Sequence, residues 1–242
     1  MSQQRTMIIA HRGAAGEAPE NTISAFKLGL EQGCEGIELD VHLSKDGEIV
    51  VIHDSTINRT THSKGAVNEL TVAELKQADA GLWFHEQYAG ERIPLLEEVF
   101  ELVPPEVMIN VEIKGSYGYR LEPALAALMR RMDRVHNVVV SSFDFKSLQA
   151  LKLHEPEAKL GLLYDLSVAR HADMTKLISS PVYSLHPSFR RLDKADVRDA
   201  VESGLQVYAY TINDEDKMRQ AIEYGVSGII TDYPGRLKGL LT

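Results

Sequence analysis

His11-Arg12-Gly13 closes the first apolar run of the chain, and Glu38, Asp40 and His42 take alternate positions in the second. A β-strand turns every other side chain to the same face, so Glu38 and Asp40 converge on one spot. A third run, residues 108–113, repeats the pattern with Asn110 and Glu112 and ends against Lys114. Any one of these acids alone reads as a solvated or ion-paired side chain. Together they stand where a half-buried strand would carry Val or Leu, and charges are almost never buried without a partner or a metal. Glu38, Asp40 and Glu112 thus form a candidate metal site. Its all-oxygen donor set suits one hard divalent cation, Mg²⁺ or Ca²⁺ with Mn²⁺ as a further candidate, over a thiolate-seeking metal.

Two histidines flank these acids. His11 and His53 both lie at strand ends, and imidazole gives and takes protons near neutral pH without a large shift. An acid and a base are what phosphodiester cleavage requires, and Arg12 and Lys114 supply positive charge for phosphate oxygens. An ion pair between Arg12 and one of the carboxylates is compatible with that role. His42 lies at the exit of its strand and reads as a surface or supporting residue; His186, before Pro187, reads as a loop residue. Trp83, Phe84 and Tyr88, with Phe143, Phe189 and Tyr210 near strand ends, are candidates for a pocket mouth, although core packing explains an aromatic equally well. Residues 13–16 lack the spacing of a phosphate loop.

Eight strand-like runs are needed to carry these groups: residues 7–10, 36–43, 108–113, 138–142, 160–164, 182–186, 206–212 and 228–232. Helical patterns at 22–32, 121–132, 145–154, 194–203 and 214–224 alternate with them. That alternation predicts an α/β chain folded as a (β/α)₈ TIM barrel. Gly33, Gly204 and Gly225 follow helical patterns, as left-handed C-terminal caps do. Successive strands start 22–30 residues apart except for one step of 72 after the second strand. A small insertion at about residues 44–94 is therefore expected to overhang the C-terminal mouth, where barrel enzymes build their sites. Within it, residues 48–53 read as a strand and 71–78 as a short helix with Thr71 and Glu74 as its capping box.

Composition narrows the function classes. The 242 residues, 44% hydrophobic, suit one barrel domain spanning 1–242. A net charge of −9 with no basic cluster argues against nucleic acid as a partner. The lone Cys34 excludes an internal disulfide and a multi-cysteine zinc site, and fits a reducing compartment. No apolar stretch of signal-peptide length precedes the first strand, and no run reaches the roughly 18 residues of a membrane span. A cytoplasmic enzyme with a small-molecule substrate and no stable membrane association is the expectation.

His11-Arg12-Gly13, Pro19-Glu20-Asn21-Thr22, Glu38-Leu39-Asp40-Val41, Lys45-Asp46-Gly47, Val51-Ile52-His53-Asp54 and Asn110-Val111-Glu112-Ile113-Lys114 resemble the successive motifs of the glycerophosphodiester phosphodiesterase family. The likeness continues through Gly81-Leu82-Trp83-Phe84, Ile93-Pro94-Leu95-Leu96, Ser142-Phe143, Tyr210-Thr211-Ile212-Asn213 and Thr231-Asp232-Tyr233-Pro234, covering nearly the whole chain. The resemblance implies a metal-dependent barrel hydrolase that cuts glycerophosphodiesters into sn-glycerol 3-phosphate and an alcohol. It puts Glu38, Asp40 and Glu112 at metal positions, His11 and His53 at acid/base positions, and Arg12 and Lys114 at phosphate positions. Phe143 and Tyr210 are the candidate substrate contacts; Tyr210 departs from the Trp common in the family pattern. Lysophospholipase D-like cleavage on the same barrel, and a metal-dependent binding barrel without turnover, are the alternatives. An acid, a base and two phosphate-binding cations exceed what pure binding requires.

Overall fold

The computed structural model describes residues 5–242. Its strands are β1 (Met7–His11), β2 (Gly36–Leu43), β3 (Ile49–Val51), β4 (Met108–Ile113), β5 (Val138–Ser142), β6 (Lys159–Tyr164), β7 (Ser184–Pro187), β8 (Gln206–Ala209) and β9 (Gly228–Thr231). All but β3 run parallel, and β1 pairs with both β2 and β9, which closes an eight-stranded ring. The helices are α1 (Ile23–Glu31), α2 (Val72–Leu75), α3 (Leu96–Leu102), α4 (Leu121–Arg131), α5 (Phe145–His154), α6 (Lys194–Glu202), α7 (Glu215–Tyr224) and α8 (Pro234–Leu241).

The expected alternation holds, with differences at the ends. Strand β8 stops at Ala209, three residues short of the predicted end, because its pairing with β7 covers two residues and then a single bridge between Ser188 and Tyr210. Helices α3 and α8 were not among the predicted ones; α8 opens on Pro234, whose fixed φ suits a first turn, and buries Leu237. Between β6 and β7 the chain makes a 3₁₀ stretch, His171–Leu177, in place of an α-helix. Gly33, Gly204 and Gly225 all adopt the left-handed backbone, with φ of 80°, 85° and 84°.

The two strand faces separate structure from chemistry. Ile37, Leu39 and Val41 point outward into the core between barrel and helices, as do Ile109, Val111 and Ile113. Glu38, Asp40, Asn110 and Glu112 alternate with them and point inward. The barrel floor is a small apolar cluster of Ile9, Tyr208 and Ile230, packed by Met7, Met108 and Tyr183. His186 belongs to this interior, which corrects its assignment to a loop. It lies on β7, wholly buried, with Nε2 2.8 Å from Ser184 Oγ and its ring edge-on to Tyr208. The strand runs on to Pro187 because that residue forfeits only an N–H, while its carbonyl accepts from the Tyr210 N–H at 3.2 Å. Gly161 makes room for the imidazole: a Cβ there would stand 2.5 Å from His186 Nε2.

The insertion carries a core of its own, built from Val50, Ile52, Ile57, Val67, Leu75, Ala78, Ala80 and Ile93. Its strand is shorter than the predicted 48–53, since β3 pairs antiparallel only with residues 41–43 of β2. Thr71 and Glu74 form the expected capping box, but α2 ends at Leu75 and relaxes into turns by Ala78. Among the described residues, no helix is long and apolar enough to cross a membrane.

Candidate active site

At the C-terminal mouth of the barrel lies a cavity of about 250 Å³, lined by His11, Arg12, Glu38, His53, Asn110, Glu112, Lys114, Phe143, Leu163, Tyr210, Thr211 and Ile230. Strand β2 supplies Glu38 and Asp40, and β4 supplies Glu112. One carboxylate oxygen from each of the three lies within 4.8 Å of the others. Register explains the convergence: Asp40 stands directly beside Glu112 in the parallel β2–β4 pair. Burial raises Glu38 well above the ordinary carboxylate range, and Asp40 and Glu112 beside it raise it further. Burial and the Asp40 charge likewise push Glu112 up to about 7. For Asp40 burial also opposes ionisation, but Arg12, Lys114 and His53 outweigh it and keep the carboxyl ionised.

The residues present fit a divalent cation. Asp40 Oδ2 accepts from Asn21 Nδ2 at 2.9 Å, whereas Asp40 Oδ1 is buried with no hydrogen-bond partner. An orphaned carboxylate oxygen in a triad of repelling acids is a vacancy in hydrogen bonding that a cation satisfies.

Each mouth histidine has its own carboxylate. His11 Nδ1 is 2.6 Å from Asp232 Oδ1, and Asp232 Oδ2 accepts from Asn213 Nδ2 at 2.5 Å. The other nitrogen, His11 Nε2, faces the acidic triad 3.9 Å from Glu38 Oε2. His53 Nδ1 is 2.7 Å from Asp54 Oδ1, and its Nε2 is 3.2 Å from Lys114 Nζ. Burial lowers the His53 pKa, and Arg12 and Lys114 add to that against the pull of Asp40 and Asp54. Lys114 also contacts Glu112 at 2.7 Å; burial disfavours its charge, but Glu112 and Asp40 hold it protonated.

Arg12 turns the chain sharply at the end of β1, with φ of 52° followed by 83° at Gly13. A side chain at Gly13 would place its Cβ 2.5 Å from the Ala25 carbonyl carbon, so the loop lies flat on α1. The turn aims the Arg12 N–H at Glu38 Oε2, 3.1 Å away, and the guanidinium at Glu20 (2.9 Å) and Asp40 (3.1 Å). The ion-pair role anticipated for Arg12 is therefore present, on the wall of the cavity.

His42 is buried, correcting its surface reading. Its Nε2–H donates to the His53 carbonyl at 3.0 Å, which leaves Nδ1 to accept from the Tyr117 hydroxyl. It braces the backbone of His53 from the strand beneath. Phe143 and Tyr210 reach the cavity wall and meet edge to face, with ring centroids 6.2 Å apart. The aromatics of the insertion do not. Trp83, Phe84 and Tyr88 stack edge-on in series, Trp83 Nε1 donates to the Ala80 carbonyl, and the Tyr88 hydroxyl donates to the Glu17 carbonyl. They fasten the insertion to the loop after β1. Phe189 is buried against Tyr224, outside this cavity. Asp232, Asp54 and Glu20, which the sequence offers only as members of the family-like motifs, and Arg59, which it does not single out, also carry site contacts. Asp54 is adjacent to His53, whereas Asp232 is 221 residues from its partner.

Comparison with known proteins identifies the family. The model of the glycerophosphoryl diester phosphodiesterase family matches residues 11–236. The chain belongs to that family. It is accordingly an enzyme, a phosphoric diester hydrolase of the glycerophosphodiester phosphodiesterase type. It is 41% identical over 242 residues to the glycerophosphodiester phosphodiesterase of Caldanaerobacter subterraneus subsp. tengcongensis, covering 98% of each chain. Among solved structures, an Oleispira antarctica phosphodiesterase in complex with the product sn-glycerol-3-phosphate matches with TM-score 0.87 and 32% identity, over 97% of this chain and 96% of that one. The glycerophosphodiester phosphodiesterase of Thermotoga maritima matches with TM-score 0.80 and 30% identity, over 98% and 99%.

Proposed function

We propose that the chain, acting as one domain, hydrolyses glycerophosphodiesters to sn-glycerol 3-phosphate and an alcohol, using one divalent cation and two histidines. The observation that carries this is the triad of carboxylates within 4.8 Å, flanked by two histidines that each hold a carboxylate on Nδ1 and turn Nε2 inward. The product named for the Oleispira phosphodiesterase supports the glycerol 3-phosphate half of the substrate.

Glu38, Asp40 and Glu112 would hold the cation, with Mg²⁺ or Ca²⁺ favoured by the all-oxygen set and Mn²⁺ acceptable. Bound there, it supplies charge that polarises the phosphate and offsets negative charge developing on it. Arg12 and Lys114 bind the non-bridging phosphate oxygens, and Phe143 and Tyr210 pack the glycerol. Ser55, near His53 in sequence, is exposed and outside the cavity lining, Thr211 lines the cavity with no hydrogen bond to either histidine among the described residues, and we assign neither as a covalent nucleophile. The glycerol 2-hydroxyl is then the attacking group, already within bonding reach of phosphorus. His11, its Nδ1–H held by Asp232, takes the hydroxyl proton on Nε2 as the new P–O bond forms. His53, on the rim contributed by the insertion, enters the cycle as the imidazolium with Nδ1–H on Asp54, and gives its Nε2 proton to the alcohol oxygen as the old P–O bond breaks. Water then gives a proton to His53 and opens the cyclic phosphate, while His11 returns its proton to the 2-oxygen.

The test is release of glycerol 3-phosphate from glycerophosphoethanolamine, with chelator, with Mg²⁺, Ca²⁺ or Mn²⁺ restored, and with a diester lacking the 2-hydroxyl. Loss on chelation, recovery on addition and failure of the deoxy substrate are expected. Full turnover in a metal-free preparation would refute the cation; undiminished cleavage of the deoxy diester would make water the nucleophile.

A further inference from the structure

Arg59 lines no wall of the catalytic cavity, yet it is bonded to both halves of the site. Its Nε and Nη2 donate to the two oxygens of Asp54 at 2.9 and 3.0 Å, a bidentate pair. Its Nη1 and Nη2 donate to the two oxygens of Glu20 at 2.7 and 2.8 Å, a second such pair. All three guanidinium nitrogens are used. Asp54 in turn holds His53 Nδ1, and Glu20 holds Arg12 Nη1 at 2.9 Å. Arg59 and Asp54 belong to the insertion, whereas Glu20 and Arg12 belong to the β1–α1 loop of the barrel. The guanidinium is thus the junction of a chain His53–Asp54–Arg59–Glu20–Arg12 that crosses from one to the other.

Planar bidentate pairing fixes direction as well as distance, which a single ammonium contact does not. Both carboxylates are acceptor-only, so without a cation between them they would repel and swing apart. Asp54 is held far below the ordinary range first of all by its hydrogen bonds to Arg59, and Glu20 is held ionised, against burial, by Arg59 and Arg12.

We propose that Arg59 is a positioning residue for catalysis: it sets the His53 imidazole and the Arg12 guanidinium in register across the seam between insertion and barrel. The proposal rests on the roles given above to His53 and Arg12. Misplacing a reacting group by about 1 Å can cost on the order of 100-fold, so a neutral residue at position 59 harms the reaction without touching substrate.

The experiment is a set of variants assayed for kcat and KM on glycerophosphoethanolamine, with thermal unfolding and divalent-cation affinity measured on each. Arg59→Gln is expected to lower kcat and raise KM together, a loss of roughly 10- to 100-fold in kcat/KM, with cation affinity unchanged. Asp54→Asn should act mainly on kcat and Glu20→Gln mainly on KM. Arg59→Lys should recover part of the loss, since a lysine reaches one carboxylate but cannot fork to two. Adding Arg59→Gln to the Asp54→Asn/Glu20→Gln double variant should cost nothing further, because nothing is left for Arg59 to orient. Near wild-type kinetics of Arg59→Gln would overturn the proposal, as would a further loss in the double-variant background. So would a loss that Arg59→Lys shares in full. Retained turnover in His53→Ala would instead refute the acid role of His53, independently of Arg59.

Discussion

At the scale of single residues, the site is organised by pairs in which one group fixes the protonation state of another. Asp232 is the clearest case. Its Oδ1 lies 2.6 Å from His11 Nδ1, and its Oδ2 is tied to Asn213. The carboxylate can only accept, so Nδ1 must carry the hydrogen and Nε2 is left with its lone pair toward the triad. Asp232→Asn keeps the shape but offers an amide that can donate to Nδ1 and trap the opposite tautomer. It is expected to lower kcat by roughly 10²- to 10⁴-fold, with cation affinity and fold intact. Titration of the metal-free variant by calorimetry alongside steady-state kinetics checks this; unchanged turnover would show that His11 needs no fixed tautomer. On the far side His53 is held twice, through its ring by Asp54 and through its carbonyl by His42.

At the scale of elements, the insertion contributes a histidine and its supports while keeping its aromatics away from the substrate. Val41–Val51 pairing folds β3 back on β2, which returns the chain to the mouth two residues before His53. The Trp83–Phe84–Tyr88 series then pins the far end of the insertion to the β1–α1 loop. Trp83→Ala should therefore leave the ranking of choline, ethanolamine and glycerol diesters as it is. Because the ring is half-buried, the expected cost is stability, on the order of 2 kcal/mol, below that of a fully buried Trp. Denaturant unfolding and kcat/KM on the three diesters separate the two effects. A changed ranking at wild-type stability would instead make Trp83 part of the pocket mouth.

At the scale of the whole molecule, the acidic triad links folding to pH and is expected to link it to cation binding. In the metal-free protein Glu112 has its pKa raised to about 7 from the ordinary 4.5. A raised folded pKa means that the folded state keeps a proton the unfolded chain has released. That stabilisation is complete below about 4.5 and is lost as pH rises through 7. The loss is on the order of a few kcal/mol. A divalent cation removes it by neutralising the ionised carboxylates. The increase in Tm on adding Mg²⁺ or Ca²⁺ should accordingly be small at pH 5 and largest above pH 7. The buried His186, pushed down to about 3, destabilises the fold as pH falls below its ordinary 6.5, but it does so in both forms and cancels from the comparison. An equal Tm gain at both pH values, measured by calorimetry, would uncouple the triad from the cation.

The sequence by itself determined the barrel, because the strand period is local and recurs eight times, with helical patterns between most of the strands. It determined Glu38 and Asp40 as a pair too, since alternation puts them on one face of β2, while the register that sets Asp40 beside Glu112 belongs to the tertiary structure. Tertiary structure alone decided what each group faces. Asp232 meets His11 only because β9 closes the ring against β1, and Arg59 reaches Glu20 only because the insertion folds down onto the first loop. It also decided the placement of His186 and His42, polar residues at strand ends that a local pattern reads as exposed. Both are buried because the chain around them continues: β7 runs to Pro187 over the barrel floor, and β3 folds back across His42. Contacts between segments far apart in sequence depend on closure and docking, which no local period encodes.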